Sequence, residues 1–149
     1  MPDPPLKALD GWALGLLTEA RVARLGLLDS DDRPRVLPVT YALSGERIWS
    51  AIDSKPKRRG REPARLGFLR RRPEVALTVD RYDENWSRLA WVQVLGVASI
   101  HDTQEEPDAL AALIEKYEPY RAEAPPGPLI AIRPSRALAW RAEEGRESG

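Results

Sequence analysis

Short apolar or alternating runs, joined by turns of a few residues, recur along most of this chain. That pattern limits the fold more than any other feature, because strands joined by short turns pair antiparallel. Residues 24–28 read as a short strand, and 29–34 as a turn rich in the residue types that turns demand. Residues 35–43 are predicted as a strand, Ser44-Gly45-Glu46 as a hairpin turn, and 47–52 as the return strand. Pro38 lies within the first of these strands. It has no N–H to give a ladder, so a sheet edge or a bulge is expected there. Residues 74–82 place Val75, Leu77 and Val79 on one face, a strand of period two. Residues 89–100 form a long predicted strand with Gly96 at a bend. Strands 129–133 and 137–141, broken by Pro134-Ser135, complete the series.

Helical spacing is confined to three stretches. Residues 10–24 read as a helix, with Trp12, Leu16, Leu17, Ala20 and Leu25 at helical intervals and Asp10 as the N-cap. Ala64–Arg71 reads as a short helix stopped by Pro73, and 103–117 as a helix with Leu110, Leu113, Ile114 and Tyr117 on one face. Residues 83–88 and 118–128 read as loops, and 1–9 and 142–149 as flexible ends. The expectation is a mainly β protein of six to seven mostly antiparallel strands with two to three helices. Alternating βαβ units are absent, which leaves a small barrel flanked by helices as the natural closure. A length of 149 residues suits one domain with one core.

Net charge is zero, yet nine basic residues and a single acid, Glu62, lie between Lys55 and Arg72. A local patch on a neutral protein fits a small anionic ligand better than nucleic acid, whose binders are basic overall. There is no cysteine and one histidine, so disulfides, thiolate chemistry and zinc- or haem-type ligand sets are not expected. Asp29-Ser30-Asp31-Asp32 lacks the later Gly and closing Glu of a calcium loop and reads as a turn; no metal site is expected. No serine sits in Gly-x-Ser-x-Gly, and His101 beside Asp102 reads as a strand-end histidine. Phosphate-binding P-loop and dinucleotide glycine motifs are absent. No apolar run approaches the ~18 residues that cross a bilayer, and Met-Pro-Asp-Pro-Pro is unlike a signal peptide. A cytoplasmic protein with no membrane or nucleic-acid partner is expected.

The basic stretch begins where a strand ends. Ser54, Lys55, Lys57 and Arg58 supply the charge-assisted donors that phosphate oxygens need, and Pro56 stiffens the loop. Upstream, Pro38-Val39-Thr40 and Ser50-Ala51 are placed to frame a planar ring through backbone groups. Ser50 and Ala51 are small enough for close approach. Val36, Val39 and Ile48 also read as sheet core. Of the five tryptophans, Trp86 lies in a polar loop and is the candidate for a subunit contact or a pocket lid.

The succession Arg-Val-Leu-Pro-Val-Thr-Tyr (35–41), Trp-Ser-Ala-Ile-Asp-Ser-Lys-Pro-Lys (49–57), Arg-Leu-Gly-Phe-Leu (65–69) and Trp-Val-Gln-Val-Leu-Gly-Val-Ala (91–98) resembles the pyridoxamine 5′-phosphate oxidase-like split-barrel flavoproteins. The resemblance spans roughly residues 14–140. It implies an FMN-binding-like split barrel, a homodimer with its cofactor at the subunit interface, and a phosphate gripped by Ser50, Ser54, Lys55 and Lys57. Two departures stand out. The flavin-dependent members have a basic residue where this chain has Val39, and a Gln where it has Trp91. The Pro-Val-Thr-Tyr strand and Ser-Lys-Pro-Lys loop look more like the branch using the deazaflavin coenzyme F-420. Arg58, Arg59, Arg61 and Arg65 would suit that coenzyme's longer anionic tail. The resemblance thus implies an oxidoreductase that passes hydride from reduced F-420 to a small organic electrophile. FMN is the alternative cofactor and a non-catalytic carrier the alternative role. Solvent or Tyr41 is the expected source of the second proton.

Overall fold

The computed structural model describes residues 4–52 and 63–142. Seven strands form one sheet: β1 (Ala23–Leu28), β2 (Pro34–Val39), β3 (Ala42–Ser44), β4 (Arg47–Ala51), β5 (Glu74–Arg81), β6 (Ala90–His101) and β7 (Leu129–Arg141). Their order is β2-β1-β5-β6-β7-β4-β3, with every neighbouring pair antiparallel. Four helices accompany them among the described residues: α1 (Gly11–Glu19), α2 (Ala64–Arg71), α3 (Pro107–Lys116) and α4 (Glu118–Ala122).

The sheet's two edges, β2 and β3, are separated in the chain only by Thr40 and Tyr41. Seven strands laid flat, about 4.8 Å apart, would hold their edges roughly 29 Å from each other. Three Cα steps from Val39 to Ala42 reach at most about 11 Å. The sheet must therefore roll until its edges nearly meet. No ladder joins β2 to β3 among the described residues, so the barrel is split. This corrects the expectation of one strand over 35–43 and of one long hairpin with 47–52. Only Ala42–Ser44 folds back on β4, through Gly45 (φ 61°) and Glu46 (φ 71°), the positive-φ pair of a type I′ turn. Pro38 stands on the edge strand β2, opposite Arg24, a place in a sheet that admits a residue with no N–H to donate.

Other boundaries moved for identifiable reasons. The first helix ends at Glu19, because Ala23, Leu25 and Leu27 bury alternate side chains as a strand. Asp10 occupies its N-cap, with the carbonyl accepting from Ala13 and Leu14 N–H and no side-chain cap bond. The 103–117 helix is divided: a 3-10 turn over Thr103–Glu105 precedes α3, and Pro107 takes the first helical turn, where its missing N–H is tolerated. The predicted loop 118–128 contains α4. The last two predicted strands are one, β7, which passes Pro134-Ser135 as a bulge opposite Leu95/Gly96.

Burial divides into two clusters around β4. Ile48 faces the barrel interior with Leu17, Leu25, Tyr41, Leu66, Leu77, Val92 and Ile130. Trp49 and Ala51 face the other way, under α3, with Ala109, Leu113, Tyr117 and Leu129. The acidic turn after β1 serves itself and α2. Asp29 Oδ1 accepts from Asp31 and Arg33 N–H at 2.9 and 3.0 Å, and Arg71 reaches Asp32 at 2.8 Å. These bonds hold both carboxyls below the usual range, the Arg33 N–H acting most strongly on Asp29 and the Arg71 hydrogen bond on Asp32.

Gly96 is required by space. A Cβ there would lie 2.5 Å from Arg133 O and 2.9 Å from Ile132 Cγ2. Gly96→Ala should destabilise the fold by about 1–3 kcal/mol in urea unfolding. Gly15→Ala, in α1 with nothing within 4 Å of the added carbon, should instead stabilise by roughly 0.5–1 kcal/mol. Equal effects at the two positions would contradict this packing.

Candidate functional site

The crossing from β2 to β3 is held from behind by two tyrosines. Tyr41 is fully buried, and its hydroxyl donates to Leu17 O in α1. The Tyr117 hydroxyl, just past α3, accepts from Tyr41 N–H at 3.0 Å. It shares its own proton between Arg21 O at 2.8 Å and Tyr41 O at 3.0 Å. One hydroxyl thus satisfies both backbone groups of Tyr41 and ties the crossing to the link between α1 and β1. Burial, then the neighbouring Tyr117, raises the Tyr41 pKa far above its ordinary value. A phenol that is sealed in the core, bonded to a helix carbonyl and reluctant to ionise is a poor proton donor to a ligand. Tyr41 is therefore a structural plug, which of the two expected sources of the second proton favours solvent.

The front of the crossing is Thr40. Its carbonyl accepts from Ser50 Oγ at 2.7 Å, and its hydroxyl lies 2.8 Å from the Tyr120 hydroxyl of α4. The structure thus brings Thr40 and Ser50 together. The side chains of the other expected framing residues lie in different surroundings: Val39 packs in the core, Ala51 lies under α3, and Pro38 is exposed on the edge strand. Ser54, Lys55, Lys57 and Arg58 lie outside the described residues.

Arg65 stands in the first turn of α2, and its Nε is buried with no hydrogen-bond partner among the described residues. It borders a cleft of about 210 Å³ between α2 and strands β1 and β2, lined by Leu27, Arg35, Leu37, Pro63, Ala64 and Phe68. Arg35 is engaged by Asp29 at 3.7 Å. The basic stretch is further narrowed because Arg71 and Arg72 both bind Asp32. An orphaned guanidinium donor beside a half-apolar cleft, on the strand that leads to Thr40, fits a ring compound carrying a phosphate.

Sequence reasoning missed Tyr120, Tyr117's bonds and Lys116. The Lys-Tyr-Glu-Pro-Tyr run (116–120) held the signal. Lys116 Nζ is buried without a hydrogen-bond partner among the described residues, 3.9 Å from the centre of the Tyr41 ring. Burial, then Arg21, pushes its pKa down to about 8.

A rolled, open seven-stranded antiparallel sheet whose edges are linked by a two-residue crossing is a split β-barrel. The chain belongs to the pyridoxamine 5′-phosphate oxidase family, whose sequence model matches residues 12–138. Solved structures share the fold. A conserved hypothetical protein from Mycobacterium tuberculosis is 21% identical with a TM-score of 0.70, covering 95% of this chain and 93% of that one. An F-420 reductase is 20% identical with a TM-score of 0.66, covering 88% and 98%. A FAD-binding protein from Mesorhizobium loti is 18% identical with a TM-score of 0.65, covering 88% and 94%. The comparison with curated proteins finds no match.

Two outcomes test the seam. Tyr117→Phe leaves the buried Tyr41 N–H without its acceptor and should cost about 1–3 kcal/mol of stability. The Lys116 pKa, near 8 when folded, lies below its ordinary value of 10.5. Between those two pH values the unfolded chain holds a proton that the folded one has released, so stability should rise with pH there. Urea unfolding of Lys116→Met should lack that rise; a rise of the same size would contradict the assignment.

Proposed function

We propose that this protein is an oxidoreductase that passes hydride between reduced coenzyme F-420 and a small organic electrophile. The carrying observation is the Thr40–Ser50 junction at the open seam, which joins the two segments the sequence selects as a ring frame. Membership of the family and the fold shared with an F-420 reductase support the reading. The deazaflavin, when bound, supplies the hydride. The chain's residues bind and orient. Backbone groups of Pro38, Val39 and Thr40, with Ser50, frame the ring; Ser54, Lys55, Lys57 and Arg58 hold the phosphate; Arg65 offers its unpaired donor to the anionic part. Tyr120 fixes the Thr40 hydroxyl. Solvent supplies the second proton, since Tyr41 is sealed. An FMN-dependent enzyme of the same fold is the second reading, favoured by the likeness to a FAD-binding protein.

The working form is a homodimer in the cytoplasm, with the cofactor between subunits. Support comes from the outer face of the sheet, where Val36, Trp91 and Trp140 are 66%, 38% and 46% exposed. Trp91 and Trp140 are cross-strand partners, so their indoles form one apolar patch. Two copies meeting on this face would bury it; an exposed patch of this kind marks an interface.

Titration with F-420 and with FMN, followed by absorbance and fluorescence, tests the cofactor. F-420 should bind more tightly, and Lys57→Ala should lose about 1.5–3 kcal/mol of that binding, roughly ten- to a hundredfold, without change in melting temperature. Binding of neither cofactor would overturn the reading. Trp140→Glu should convert the dimer to a monomer in sedimentation analysis; an unchanged mass would remove this face from the interface.

A further inference from the structure

Ser99 and His101 stand two residues apart on β6 and face the same side of the sheet. Ser99 Oγ lies 2.7 Å from His101 Nε2. At the other ring nitrogen, His101 Nδ1 lies 3.6 Å from Glu106 Oε1. The turn that brings Glu106 back to the ring is fixed by a capping box. Asp102 N–H donates to Glu105 Oε1 at 3.2 Å, and the Asp102 side chain accepts from Glu105 N–H. The imidazole also packs on Trp49, with ring centroids 5.6 Å apart and planes tilted by 59°. Ser99 is exposed, whereas the His101 side chain is 25% exposed. The hydroxyl is open to a reagent, while the base is sheltered and oriented from two sides.

We propose that Ser99 is an acylatable nucleophile, with His101 as its general base and Glu106 holding the imidazole, and that small activated esters acylate it. A hydroxyl paired to a base that is itself oriented by a third group is the arrangement that activates a serine. With the ring proton on Nδ1, facing Glu106, Nε2 is free to accept from Ser99. Attack forms the Oγ–acyl bond and breaks the bond from the acyl carbon to the leaving oxygen. The Oγ proton passes to Nε2 and from there to solvent, which leaves the imidazole neutral again, and the leaving group departs as phenolate. Water then releases the acid and restores the serine, with the same base taking the water's proton and returning one to Oγ. A cleft of about 320 Å³, lined by Asp102, Thr103, Gln104, Pro126, Gly127 and Pro128, adjoins the strand end one residue beyond His101. General-base assistance is worth roughly 10²–10⁴-fold. That suits an aryl ester with a good leaving group and does not suit an amide. The site is separate from the Thr40–Ser50 seam and requires no cofactor.

The test is p-nitrophenyl acetate with the full-length protein, followed by release of nitrophenolate and by peptide mass mapping of the acetyl group. The expected result is a burst approaching one equivalent with acetyl on Ser99. Ser99→Ala should abolish the burst, and His101→Gln should slow it by roughly 10²-fold or more. Glu106 is at the surface, so Glu106→Gln tests the same relay should His101→Gln disturb the packing on Trp49. It should slow acylation severalfold with the melting temperature unchanged. Acetyl found only on lysines, or Ser99 acetylated at the wild-type rate in both His101→Gln and Glu106→Gln, would overturn the proposal.

Discussion

A two-residue crossing between the sheet's two edges is the constraint on which the rest of this structure depends. Thr40 and Tyr41 can join β2 to β3 only if seven strands roll into a nearly closed wall. The crossing leaves both regular ladders, so its buried backbone groups need partners from elsewhere. Tyr117 supplies them with one hydroxyl, and Ser50 adds a bond to the Thr40 carbonyl. Tyr41 then fills the interior behind the seam. Of the two crossing residues Tyr41 is fully buried and Thr40 half-buried, so Thr40 is the one that reaches the surface. Structure and candidate site are two sides of one crossing.

Much of the fold was legible because its signals are local. Period two over 74–82 and 89–100, the positive-φ turn at Gly45-Glu46 and the edge proline each follow from a few neighbouring residues. The split of 35–43 was not legible. Val39 and Ala42 are both apolar and both strand-like, and nothing local says that they lie on opposite edges of the sheet. The end of the first helix failed for a related reason. Leu25 fits a helical interval and a strand interval equally, and the sheet decides. The α4 turn was hidden by its prolines, which read as loop although Pro119 sits where a helix accepts one.

The candidate site was half legible. Ser50 and Thr40 were both selected as framing residues, and the structure joins them by a hydrogen bond. Ala51 was selected for its size, and its small side chain packs under α3. Arginine count overstated the anion patch, since Arg71 and Arg72 are consumed by Asp32. Arg65 Nε has no hydrogen-bond partner among the described residues. Ser99 and Glu106 escaped notice because motif reasoning looks for a serine in a turn. A strand that ends in histidine places serine and base together by alternation alone.

Hydrogen–deuterium exchange of the protein with and without F-420 tests the central claim most directly, that the open seam holds the cofactor. Protection should appear in peptides covering residues 37–41 and 48–52, the backbone on either side of the Thr40–Ser50 bond. Saturating F-420 that leaves both peptides unchanged while protecting another part of the sheet would contradict it.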